Sequence, residues 1–113
     1  DSTIVVSFDN KTPSNSIVTV QGNYSNSKGT ATYNGKTYTM CVKMESSTTI
    51  TVNATQSYTM TIVFGGSDTA SIKINGTKVT GSSSTYTTTI DGTTTLTKAD
   101  SRNVFAIVLT PVN

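Results

Sequence analysis

The side chains best able to do chemistry in this sequence are seven lysines, Lys11, Lys28, Lys36, Lys43, Lys73, Lys78 and Lys98. A lysine ammonium is a compact charge with three donors on a flexible stem, and it suits carboxylates. The acids are Asp1, Asp9, Glu45, Asp68, Asp91 and Asp100. Asp68, Asp91 and Asp100 fall in apparent turns, where aspartate bonds nearby backbone. No Asp-x-Asp cluster gathers the oxygens that calcium needs. Paired carboxylates for glycoside hydrolysis would meet only through a chance approach in space. With no His and one Cys, neither a Ser-His-Asp triad, a Cys-His dyad nor a His/Cys zinc site can be built. The expectation is a protein with no catalytic residues, no cofactor and no metal site.

The remaining composition narrows the class. The chain has 113 residues, a net charge of +2 and 12% charged residues. That length is one domain's worth, so residues 1–113 are expected to form a single module. The charge is too sparse for the dense basic stripe of a nucleic-acid binder. No apolar run approaches the roughly 18 residues that span a bilayer. No secretory pattern of basic, apolar and small residues stands at the start. Beginning at Asp1, the sequence is expected to be a mature product or a module cut from a larger secreted protein. Threonine (25), serine (15) and asparagine (9) make up about two-fifths of the chain. Disorder is nevertheless excluded, because the apolar residues are β-branched or aromatic and alternate.

The elements that must position the lysines are strands and turns, with no helix. Runs at 4–8, 17–20, 30–33, 36–44, 49–53, 58–64, 72–74, 86–90, 95–98 and 104–109 are separated by turn chemistry. Asn34-Gly35 and Asn75-Gly76 are hairpin signals, and Asp91-Gly92 is a third tight turn. About ten short strands at this spacing predict an all-β, antiparallel β-sandwich of the jelly-roll or immunoglobulin-like kind. In the run 36–44, alternation places Tyr38, Met40, Val42 and Met44 on a core face. Thr39, Cys41, Lys43 and Glu45 then face solvent, with Cys41 half-buried. Val104 to Leu109 is a continuous apolar run, as in a central strand covered on both faces.

A binding surface fits this inventory better than an active site. Neutral crystalline glycans are gripped by rows of exposed aromatics, Trp above all, and this chain has no Trp. Tyr33, Tyr38, Tyr58 and Tyr86 sit inside alternating runs as core or sheet residues, and Tyr24 is the tyrosine expected to be exposed. Scattered lysines favour an acidic polysaccharide over cellulose. One exposed ion pair is worth only about 0.2–1 kcal/mol. Several lysines facing successive carboxylates would reach micromolar binding, about −8 kcal/mol.

The stretch from Tyr33 to Ile50, which contains Cys41-Val42-Lys43-Met44-Glu45-Ser46-Ser47-Thr48, resembles the Y…CxKMESST-I segment of family 77 carbohydrate-binding modules. Gly92 to Ser101, with Thr95-Leu96-Thr97-Lys98-Ala99-Asp100-Ser101, is similar to that family's G…TLTKxDS segment. Phe105 to Leu109 matches its closing strand. The family is the pectin-binding module of bacterial, cellulosomal pectate lyases. The resemblance implies a secreted, monomeric module within a multidomain enzyme. Such a module binds homogalacturonan of low methyl esterification and has no catalysis of its own. The family's basic binding residues carry over onto Lys28, Lys43 and Lys98. Alternation independently turns Lys43 to solvent. Parity puts Lys98 with Leu96, but at a strand end it can swing outward. Glu45 and Asp100 stand beside two of these lysines, either to pair with them, to cap a turn or to contact sugar hydroxyls. The alternative reading is a structural or adhesin-type sandwich of a bacterial surface protein, which the Thr-rich strands fit equally well.

Overall fold

The computed structural model describes residues 2–113. Thirteen strands and one 3-10 turn (Asp9–Lys11) follow one another along the chain. One layer is a six-stranded antiparallel sheet. It runs β11 (Thr85–Asp91), β8 (Ser57–Phe64), β13 (Asn103–Pro111), β6 (Cys41–Lys43) and β3 (Tyr24–Ser25), with β1 (Ile4–Val6) also paired to β13. The second layer is five-stranded: β10 (Thr77–Thr80), β9 (Ser71–Ile74), β12 (Thr94–Thr97), β7 (Thr49–Val52) and β2 (Val18–Gln21). The expected antiparallel sandwich is present, with more and shorter strands than the ten read from the sequence.

Alternation explains how the layers close. Ile50 and Val52 of β7, Leu96 of β12 and Met60, Ile62 and Phe64 of β8 point inward and are 0% exposed. The intervening threonines of β7 and β12 stay on the outer face, half-exposed. Threonine serves both needs, since its β-branch favours strands and its hydroxyl is compatible with water.

The segment 36–44 departs from expectation. It is two strands in two layers, and the chain steps from one to the other at Thr39–Met40. The strand β5 (Lys36–Tyr38) pairs with β4 (Ala31–Tyr33) as a separate hairpin, turned at Asn34-Gly35 with φ of 52° and 83°. Asparagine and glycine are the residues that tolerate this left-handed pair. The hairpin covers the outer face of the six-stranded sheet and creates a second small core of Ala31, Tyr38, Cys41, Val63, Phe105 and Ala106. Cys41 is therefore fully buried rather than half-buried, because its nominal solvent face lies under that cover. A bulge in β13 between Val104 and Ala106 completes the arrangement. It places both Phe105 and Ala106 in the outer core, while Val104 and Ile107 remain in the inner one. As expected of a central strand, Val104 to Leu109 is buried throughout.

The tight turn expected at Asp91-Gly92 is a corner at which the chain leaves the six-stranded sheet for the five-stranded one. One further expectation is corrected. Tyr24 is not the exposed tyrosine. It sits in β3, partly buried against the inner core, with its ring 6.1 Å from that of Phe8. Burial pushes its hydroxyl pKa above the ordinary tyrosine value.

Candidate ligand-binding surface

Lys43 ends β6, held between two neighbours. Its N–H donates to the Asn23 carbonyl (2.9 Å), and it stands opposite Asn103 at the start of β13. Beyond it the chain turns tightly. The Thr48 hydroxyl, in a side chain 1% exposed, donates to the Lys43 carbonyl (2.8 Å) and accepts from the Glu45 N–H (3.1 Å). The Thr48 N–H closes the turn on the Glu45 carbonyl (3.0 Å). These bonds fix where Lys43 and Glu45 project. A Cβ on Gly22, the residue before Asn23, would lie 2.9 Å from the Thr48 methyl, so that position is closed to side chains.

Above the turn, Lys43 Nζ lies 3.7 Å from Glu45 Oε2, both side chains being partly exposed. Glu45 Oε1 accepts from Asn23 Nδ2 at 2.9 Å. The Asn23 amide, then Lys43 and more weakly Lys98, hold the Glu45 carboxyl below the ordinary carboxylate range. Lys98 follows β12, whose Thr97 is paired with Thr49 of β7, and this brings it alongside the Glu45–Thr48 turn. Lys28 stands exposed in the loop between β3 and β4. Burial raises the Cys41 thiol, while a bond to the Ser25 carbonyl and the charges of Lys28 and Lys43 act against that rise. The charge of Lys98 acts on Glu45 and that of Lys28 on Cys41, so each lies within electrostatic range of a residue close to Lys43 in the chain. Neither Lys28 nor Lys98 has an ion-pair partner among the described residues.

Asp100 is not Lys98's partner. It accepts from Ser71 (2.6 Å) and pairs with Lys78 (3.3 Å), and these two hold its carboxyl below the usual range. The remaining acids do not assemble either: among the described residues no three His, Cys, Asp or Glu side chains come together to hold a metal. Sequence reasoning missed Asn23 and Thr48. Thr48 was legible as an oxygen three residues beyond Glu45, the spacing of a side-chain-closed turn. Asn23 lies 22 residues from its partner, with no local signal.

Two expectations follow. Thr48→Val keeps the shape but strands the Lys43 carbonyl and Glu45 N–H, costing about 1–3 kcal/mol, checked by urea denaturation. Asn23→Ala should return the Glu45 pKa toward the ordinary range, read by NMR titration. Because the folded-state pKa is depressed, Glu45 contributes stability above its unfolded pKa and loses it as pH falls through the folded value. In the variant that loss should be smaller and should be complete at a higher pH.

Partly exposed lysines carried on a sandwich suit the binding of an anionic ligand. The family model for carbohydrate binding module 77 matches residues 2–107. The chain belongs to that family. It is also similar to a structure solved in work on the Ruminococcus flavefaciens cellulosome, whose complexity is described as reflecting an expansion in glycan recognition. The two are 42% identical over 100% of this chain and 97% of that one, with a TM-score of 0.88. A Podospora anserina GH26-CBM35 β-(1,4)-mannanase shares the fold alone, at 14% identity and a TM-score of 0.52 over 100% of this chain and 28% of that one. Comparison with curated proteins finds no match.

Proposed function

We propose that this carbohydrate-binding module binds pectin, as homogalacturonan of low methyl esterification, through Lys28, Lys43 and Lys98. Each lysine contacts a galacturonate carboxylate, and Glu45 holds Lys43 in place and accepts from a sugar hydroxyl. The observation that supports this reading is the Lys43–Glu45 pair at the end of β6, with Lys98 in electrostatic range of Glu45 and Lys28 in range of Cys41. Family membership and the likeness to a cellulosomal glycan-recognition protein support it. On this reading the chain is a single, secreted, monomeric module of a larger enzyme. It targets an attached pectate lyase to plant cell wall, in a cellulosome.

Calorimetric titration with polygalacturonate, at low and high salt with EDTA present, tests the proposal beside a highly methyl-esterified pectin. The expected result is binding to the unesterified polymer alone, weakened by salt because exposed charges are screened beyond about 8 Å at physiological ionic strength. Heat with the esterified pectin, or none with either, would overturn it, and the latter would favour a structural sandwich.

A further inference from the structure

A second concave surface is lined by none of these three lysines. It is a groove of about 460 Å³ between the β4–β5 hairpin and the outer face of the six-stranded sheet. Val5, 46% exposed, and Val108 form its apolar floor. Tyr33, Asn34, Lys36 and Tyr38 of the hairpin form one wall.

Register shows why Lys36 is unusual. Ala31 pairs with Tyr38 and Tyr33 with Lys36, so these four side chains share the hairpin face turned toward the sheet. Thr32 and Thr37 face away, their hydroxyls 2.9 Å apart. A lysine on a covering face should be buried against a partner or replaced by an apolar residue. Lys36 instead stays exposed, because the groove opens beneath it. Its Nζ lies 5.5 Å from the Tyr38 ring centroid, and no carboxylate pairs with it among the described residues. Among the described residues no acid lines the groove, although the charge of Asp9 reaches Tyr38. Asn34 is held at the turn by its left-handed backbone, and its side-chain amide has no hydrogen-bond partner among the described residues.

An apolar floor, aromatic rings, one free amide and one unpaired cation make up the mixed lining of a small-ligand site. A pyranose uronate matches it group for group. Its C–H face suits the valines and rings, its hydroxyls suit the amide, which both donates and accepts, and its carboxylate suits Lys36. We propose that this groove is a second glycan site, taking one or two uronate residues of an acidic polysaccharide. The choice of polymer rests on the function proposed above; the free cation and amide do not. The site is distinct in space. Lys43 faces Asn103 on β13, and Val108 lies five residues further along that strand, roughly 16 Å away.

Amide NMR titration with short galacturonate oligomers tests this, on the wild-type chain, on Lys28→Ala/Lys43→Ala/Lys98→Ala and on Lys36→Ala. Shifts are expected at Asn34, Gly35 and Lys36 in both the wild type and the triple variant. Shifts around Lys43 are expected only where the three lysines are intact. Lys36→Ala should lose the groove shifts and keep the others. Shifts confined to the Lys43 region of the wild type would overturn the groove and leave the proposed function standing. Shifts confined to the groove would do the reverse. No shifts anywhere would overturn both.

Discussion

Lys43→Ala is expected to weaken binding of polygalacturonate about 10- to 100-fold. On the proposed reading Lys43 is the central cation, since Lys98 acts electrostatically on its partner Glu45 and Lys28 on Cys41. A hydrogen bond to a charged group is worth about 1.5–3 kcal/mol, and each 1.4 kcal/mol is a factor of ten in affinity. Truncation also leaves Glu45 without its 3.7 Å ion-pair partner, so an acid remains where a sugar carboxylate would approach. Lys98→Ala removes a cation that acts on Glu45 only at longer range, and should cost less. The stability of Lys43→Ala should barely change, because an exposed pair contributes about 0.2–1 kcal/mol. Calorimetry beside urea denaturation separates the two effects. Unchanged affinity after replacing Lys28, Lys43 and Lys98 together would show that the surface is not the site.

The same geometry shows how much of the site was legible in the sequence. Strand alternation correctly turned Lys43 outward, because β6 lies in a sheet whose other face is the core. Alternation could not say where Lys98 and Lys28 lie relative to it, since that depends on the pairing of β12 with β7 and of β3 with β6. Those two lysines came from the resemblance, helped by loop exposure for Lys28 and a strand-end position for Lys98. Of the roles open to Asp100, pairing with Lys98 is not the one it takes: it reaches across to Lys78 on β10 and Ser71 on β9.

The fold was legible wherever turn chemistry and pairing coincide. Asn34-Gly35 and Asn75-Gly76 do turn hairpins, with positive φ at both residues of each. Asp91-Gly92 carries similar chemistry but joins strands of different sheets, since a tight turn specifies reversal and not partnership. The unbroken period-two pattern of 36–44 concealed a change of layer at Thr39–Met40. Each half obeys alternation against a different core, so Tyr38 and Cys41 share the outer cluster while Met40, Val42 and Met44 pack with the inner one.

The outer cluster that the pattern concealed should be as strong as it is small, and Phe105→Ala measures it. Phe105 is 0% exposed and packs with Tyr38, Cys41 and Val63 beneath the hairpin. Removing a buried phenyl ring costs about 3–5 kcal/mol, a large share of the roughly 5–15 kcal/mol that holds a domain together. The bulge concentrates the loss, because Phe105 and Ala106 both face outward there and no neighbouring large residue of β13 can refill the space. Urea denaturation should show a midpoint well below wild type with the slope unchanged. Hydrogen exchange should then distinguish local from global loss. The Lys36–Tyr38 amides, which depend on the hairpin's hold on Phe105, should lose protection before those of Thr49–Val52 in the other sheet. A cost below about 1 kcal/mol, the range of surface substitutions, would mean that the hairpin is only laid against the sheet and not packed into it.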